Sequence, residues 1–296
     1  MTQLNAQALM AMPYEQMVAC IKSWNRNKME ESHSWRFWRR NDQFEPQGDW
    51  RTWLVMAGRG YGKTRMGAEW VSALATQYPG ARFALVGATL NEARQVMVEG
   101  ESGLLALPFA ERPEWEPSLR RLTWRNGATG TLFSAAEPES LRGPQHDFAW
   151  ADEIAKWPNG IKAWDNLMLG LRLGQNPRIM ATTTPRPVPL LRRLVLEKGV
   201  AITRGRTADN DMHLPPEYLA SVRAAYAGTR WGRQELDGEL IEDAAGALWT
   251  RDLIERQRVS YAPDLKRIVI GVDPPVSENG DACGIVAVGI GEDKKA

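Results

Sequence analysis

The run Ala57-Gly58-Arg59-Gly60-Tyr61-Gly62-Lys63-Thr64 holds the residue types that a polyphosphate requires. Small residues and glycines let backbone N–H groups turn inward around a phosphate, a lysine reaches the two terminal phosphates, and a following hydroxyl ligates Mg²⁺. Ala57 stands in the first position of this phosphate-loop pattern, Lys63 in the cationic one and Thr64 in the metal-binding one. Such a loop calls for an acidic strand end elsewhere, and Phe148-Ala149-Trp150-Ala151-Asp152-Glu153 supplies it. Asp152 is placed to hold Mg²⁺ through water, and Glu153 to polarise an attacking water as general base. The chemistry this pair of motifs can do is hydrolysis of a nucleoside triphosphate, with Mg²⁺ as the expected metal.

Positive charge must also meet the terminal phosphate as the transition state forms. Two arginines qualify. Arg59 lies inside the loop, and Arg142 stands ten residues before Asp152, in Ser140-Leu141-Arg142-Gly143-Pro144, where it could project toward a neighbouring subunit. Further on, Thr182, Thr183 and Thr184 end an apolar run. A hydroxyl at that point can bond the phosphate or Glu153 and so report hydrolysis to distant parts.

These residues need a scaffold. Short apolar runs over 53–57, 82–86, 129–133, 148–151 and 178–182 read as strands, and helical patterns separate them. Met66, Trp70, Val71 and Leu74 share one face of the helix after the loop, and Thr89 is set to cap the next helix. Strands alternating with helices predict an α/β fold with a mostly parallel sheet covered by helices. Around this core, expected over 50–205, residues 1–49 read as a helical lead-in in which Trp35, Phe37 and Trp38 stand beside Arg36, Arg39 and Arg40. Residues 206–262 read as a charged, mostly helical connector, within which Pro215-Pro216 opens a helix running to about Tyr226. Two strands over 267–273 and 283–290 read as an antiparallel hairpin within 263–296.

Composition narrows the class. The 296 residues carry 37 Lys and Arg against 36 Asp and Glu, a net charge of +1 that excludes nucleic-acid binding by a bulk basic tail. With 43% hydrophobic and 25% charged residues, the chain has a core to bury. Cys20 and Cys283 match no metal-ligand spacing, and no signal peptide or run of 18 apolar residues is present, so a reduced intracellular protein is expected. His33, His146 and His213 share no spacing and read as surface or turn residues. Between residues 186 and 206 there are six basic residues against Glu197 alone, a local excess suited to phosphate contact.

Taken together the motifs resemble the large subunit of tailed-bacteriophage terminases, the motors that pump DNA into procapsids. The stretches that carry the resemblance are GDWRTWLVMAGRGYGKTRMGAEWV (48–71), ESLRGPQHDFAWADEIAKW (139–157), RIMATTTPRP (178–187), GTRWGRQELDGEL (228–240) and IVIGVDPPVSENGDACGIV (268–286). The resemblance implies a P-loop NTPase of the RecA/ASCE-like type, with Lys63 and Thr64 on ATP–Mg²⁺, Asp152 on the metal and Glu153 activating water. It further implies Thr182–Thr184 as a coupling motif, Arg142 as an arginine finger acting in trans around a ring, and Gln43 as a reader of adenine. The implied partners are double-stranded DNA, a small terminase subunit, the procapsid portal and further copies of this chain. The implied place is the host bacterial cytoplasm and, transiently, the portal vertex.

The family's second enzyme is an RNase H-like nuclease with metals held by several carboxylates. Asp273 falls where the first of these would be, with Asp281 in the following turn. Two-metal cleavage needs carboxylates from several strands, so this sequence, expected to be truncated early in that domain, is not expected to cut DNA. A helicase-like nucleic-acid ATPase, and a catalytically silent prophage remnant serving as an assembly subunit, are the other two readings.

Overall fold

The computed structural model describes residues 6–25, 28–29, 34–108, 112–241, 249, 253, 257, 264–273 and 284–291. The chain divides into two units, Met1–Glu242 and Asp243–Ala296.

The first unit is built on an eight-stranded sheet in the order β3-β4-β5-β2-β6-β7-β1-β8. Its strands are β1 (Thr52–Ala57), β2 (Arg82–Gly87), β3 (Glu114–Glu116), β4 (Arg121–Thr123), β5 (Thr129–Ser134), β6 (Phe148–Ala151), β7 (Arg178–Thr183) and β8 (Val200–Gly205). The six from β5 to β8 in that order pair in parallel, and β3 and β4 extend one edge antiparallel. The fold is therefore the mostly parallel α/β arrangement expected from the alternation of runs.

Alternate side chains of the central strands feed two separate cores. Trp53, Val55 and Ala57 join Met66, Trp70, Val71 and Leu74 of the long helix α4 (Lys63–Gln77) on one face. Leu54 and Met56 join Trp164 and Leu167 of α6 (Gly160–Gly170) and Leu190, Leu191 and Leu194 of α7 (Pro189–Leu196) on the other. Burial on both faces is why β1, TWLVMA, is apolar throughout apart from Thr52.

The lead-in contains α1 (Ala6–Met10), α2 (Tyr14–Lys22) and α3 (Trp35–Trp38), then a 3₁₀ turn over Asn41–Gln43. Thr89 does cap the next helix, its hydroxyl accepting from the Glu92 N–H at 3.1 Å. That helix, α5 (Leu90–Glu92), passes at once into a π-helical segment, Ala93–Val98. After β8 come a 3₁₀ segment, Thr207–His213, then α8 (Pro216–Tyr226) and α9 (Arg230–Glu235).

His146 corrects the expectation of a surface histidine. It is 4% exposed, its backbone N–H donates to Gly170 O at 2.9 Å, and its ring meets Phe133 edge-on at 5.4 Å. A bridge to Leu171 draws this turn into the fold, a long-range contact that spacing along the chain does not encode. His213 is exposed, and His33 lies outside the described residues.

In the second unit β9 (Leu265–Asp273) and β10 (Gly284–Gly291) pair antiparallel, with Asp273 opposite Gly284. The hairpin is as expected. Asp281 and Cys283 lie outside the described residues.

Candidate active site

Parallel strands present their carboxyl ends at one edge of the sheet, and ligands of such folds bind there. The order β6-β7-β1 sets three of those ends side by side. β1 runs into the phosphate loop, β6 into Asp152-Glu153, and β7, paired with both, into Thr183 and Thr184. A cavity of about 840 Å³ opens over this edge, and Arg59, Gly60, Tyr61, Gly62, Lys63, Thr64, Glu153 and Thr184 are among the residues that line it.

The loop is held in shape by its own lysine and by residues from outside it. Lys63 Nζ donates to the carbonyls of Ala57 and Gly58 at 2.9 and 3.1 Å. The Arg59 carbonyl accepts from Thr207 Oγ1 at 2.6 Å, that of Gly60 from Asn210 Nδ2 at 2.7 Å, and that of Tyr61 from Arg40 Nη2 at 3.0 Å. Five successive carbonyls are thus anchored away from any ligand. Among the described residues the N–H groups of Gly60 and Gly62 make no protein hydrogen bond, and those of Lys63 and Thr64, in the first turn of α4, have no partner within the helix. Gly60 (φ 73°) and Gly62 (φ 101°) occupy the left-handed region, where a side chain would strain the backbone. These amides at a helix N-terminus make a cradle for an anion.

Lys63 is 7% exposed, and burial lowers its pKa. Its ammonium also donates to Thr184 Oγ1 at 3.0 Å and stands 3.6 Å from Glu153 Oε1. Glu153 leaves the strand in the left-handed region (φ 48°), a conformation that costs a non-glycine residue on the order of 1 kcal/mol. Its Oε2 accepts from the Thr184 N–H at 3.1 Å. Asp152 does not line the cavity. It is 5% exposed, and its Oδ1 accepts from Thr182 Oγ1 at 2.5 Å. Burial, then the charge of Glu153, pushes its carboxyl up to about 6. Thr183 faces elsewhere, its hydroxyl accepting from the Ala155 N–H at 3.2 Å.

Mg²⁺ fits this donor set. Thr64 and Asp152 offer hard oxygens, and among the described residues no cluster of three or more His, Cys, Asp or Glu could hold a metal unaided. A phosphate-bound Mg²⁺ asks for one or two protein oxygens of this kind and takes the rest from phosphate and water.

The other expected residues are distributed unevenly. Gln43 lines the cavity, 5% exposed, with its Oε1 held by the Arg40 N–H at 2.9 Å. Arg59 lines it too, but its Nε donates to Glu235 Oε2 at 2.7 Å. Arg142 lies away from the lining, its exposed Nη1 3.7 Å from Glu139 Oε2. Trp35 and Trp38 stand at the cavity wall. Of the basic residues between 186 and 206, Arg193 pairs with Asp165 at 2.7 Å, Arg206 with Asp209 at 3.0 Å, and Arg186 lines the cavity.

Arg40, Thr207, Asn210 and Glu235 carry no local sequence signal that marks them as site residues. Glu235 lies within the stretch 228–240 that carries the family resemblance, but nothing in that stretch points to the loop 176 residues earlier.

The sequence model of the family described as "Terminase large subunit, T4likevirus-type, N-terminal" matches residues 54–256. Among solved structures, the large terminase ATPase domain of Thermus phage P74-26 is 16% identical, with a TM-score of 0.51, covering 67% of this chain and 95% of that one. The large terminase of a second thermophilic bacteriophage, in complex with ADP, is 14% identical, with a TM-score of 0.55, covering 82% of this chain and 60% of that one. Another crystal form of that same large terminase is 15% identical, with a TM-score of 0.53 and 69% coverage of this chain, which spans 52% of that length. At these identities the likeness is one of fold. No curated protein matches.

Proposed function

Given that the chain belongs to the terminase large-subunit family, matched over residues 54–256, we propose that it is an ATP-driven motor that translocates double-stranded viral DNA into a procapsid. The observation that carries the reading is the station of Lys63. One buried ammonium spans the phosphate loop, Thr184 at the end of β7 and, at 3.6 Å, the Glu153 carboxylate. A triphosphate laid on the loop would meet its charge at the terminal phosphates, beside the base that activates water.

The loop amides bind and orient the phosphates, and Gln43 faces the adenine end. Thr64 and Asp152 would hold Mg²⁺, which neutralises charge on the phosphate oxygens when bound. Glu153 takes the proton of the attacking water. Arg59 stabilises the charge that builds on the terminal phosphate, with Arg142 supplied from a neighbouring copy in a ring. Thr184, bonded to both Lys63 and Glu153, passes the change along β7, and Thr207 and Asn210 carry movement of the loop into the 206–262 connector. Portal, small subunit and double-stranded DNA are the partners, in the host cytoplasm and at the portal vertex. Asp273 would serve a nuclease site that needs carboxylates from further strands. No helix among the described residues is long and apolar enough to cross a membrane.

The test is DNA-stimulated ATPase activity measured beside procapsid packaging. Lys63→Ala and Glu153→Gln should each lower turnover by roughly a hundredfold or more, on the order of what a lost general base costs. Near wild-type activity in either variant rejects the site. Hydrolysis accompanied by strand separation in place of packaging would identify a helicase.

A further inference from the structure

Glu235 is a buried carboxylate that does not itself line the cavity but reaches two arginines that do. Its side chain is 2% exposed, and the groups that reach it come from three elements. Arg59 Nε in the phosphate loop donates to Oε2 at 2.7 Å, Arg186 Nη2 just beyond β7 stands 3.9 Å from Oε1, and Gln234 Nε2 donates to Oε1 at 3.2 Å. The Glu235 backbone carbonyl also accepts from the Arg59 N–H at 2.8 Å. Burial works to raise this carboxyl, but the hydrogen bond and charge of Arg59, then Gln234 and Arg186, hold it below the ordinary glutamate range.

Both arginines line the cavity that the phosphate loop and Glu153 also line. Two cations share one anion there, and Arg186 makes only a long contact with it. Arg186 also follows Thr184, whose hydroxyl and N–H meet Lys63 and Glu153 where a terminal phosphate would lie. A planar guanidinium exchanges a carboxylate for a phosphate oxygen with its donor geometry unchanged. We propose that Arg186 is a contact for the terminal phosphate of the nucleotide, and that Glu235 is a positioning residue that competes with that phosphate for Arg186 and Arg59. The inference rests on reading the cavity as an ATP site, and it adds to that site a residue that distinguishes triphosphate from diphosphate.

The experiment measures binding of ATP-γ-S and of ADP, each with Mg²⁺, to the full chain and to Lys63→Ala, Arg186→Ala, Glu235→Gln and the double variant R186A/E235Q. Arg186→Ala should weaken ATP-γ-S about tenfold, the worth of one charge-assisted contact, and leave ADP within about twofold. Glu235→Gln should tighten ATP-γ-S, because its competitor is neutralised, and the double variant should bind no tighter than wild type. Equal effects of Arg186→Ala on the two nucleotides, or weaker triphosphate binding by a Glu235→Gln protein that melts like wild type, would overturn the proposal. If Glu235→Gln fails to fold, Glu235→Asp replaces it; the charge remains but the shorter arm withdraws it, and the same gain for triphosphate is required. A wild-type chain that binds neither nucleotide, or binds them no better than Lys63→Ala does, defeats the ATP-site reading itself and is thereby told apart.

Discussion

Thr182 donates its hydroxyl to the buried carboxylate of Asp152 at 2.5 Å, across the pairing of β6 with β7. The bond favours the charged form of Asp152, against the burial and the Glu153 charge that together push this carboxyl up to about 6. In the proposed role, protonation of Asp152 weakens its hold on hydrated Mg²⁺, so at limiting Mg²⁺ ATPase activity should rise with pH through about 6. Thr182→Val keeps the shape and removes the donor. The acid limb should then move up by about one pH unit, the equivalent of a charge-assisted hydrogen bond of roughly 1.5 kcal/mol. A pH–rate profile at fixed low Mg²⁺ decides it, and an unmoved limb removes Thr182 from the control of Asp152.

Asn210 clamps the loop from the connector, donating to Gly60 O at 2.7 Å while its Oδ1 accepts from Arg40 Nη1 at 2.6 Å. Asn210→Ala releases both groups. A net loss of about 1–2 kcal/mol in loop preorganisation should appear as a roughly tenfold higher KM for ATP with kcat little changed. A fall in kcat at constant KM would contradict a role in holding the loop.

Gly67 in the middle of α4 faces Trp150, the residue two before Asp152. A Cβ there would lie 2.1 Å from Trp150 Cε2. Alanine ordinarily favours a helix over glycine by about 1 kcal/mol. Here the collision with a fully buried indole should reverse the sign and destabilise the protein by about 1–3 kcal/mol. Chemical denaturation of Gly67→Ala measures this, and a stabilised variant would show that β6 yields easily.

His146 should make folding pH-dependent. Burial pushes its imidazole down to about 4, whereas the unfolded chain titrates near the ordinary histidine value of 6.5. Between those values the unfolded state binds a proton that the folded state refuses, so this contribution to stability is full above about 6.5 and is lost as pH falls toward 4. The loss amounts to about 3 kcal/mol. Subtracting the stability of His146→Gln from that of wild type at each pH isolates it. A difference that stays constant from about pH 7 to 4 would mean that His146 takes up its proton in the folded protein.

What the sequence determined by itself is local. The glycines, Lys63 and Thr64 lie within one turn of chain, and Asp152 and Glu153 end an apolar run; spacing of that kind is imposed by backbone geometry over a few residues and can be read without a fold. The alternation of apolar runs and helical patterns likewise required layers of strand and helix. Strand order is another matter. That β7 lies between β6 and β1, and so delivers Thr184 to both Lys63 and Glu153, depends on how whole strands pair, which no short-range pattern specifies. The same holds for Thr207, Asn210 and Glu235, whose partners in the loop lie about 150 residues or more away, and for His146, drawn inside by Phe133 and Leu171. Their types are common on any surface. Only the packing of the sheet and the segment after β8 against the loop turns a carboxylate, a hydroxyl and an amide into the frame of the proposed phosphate site.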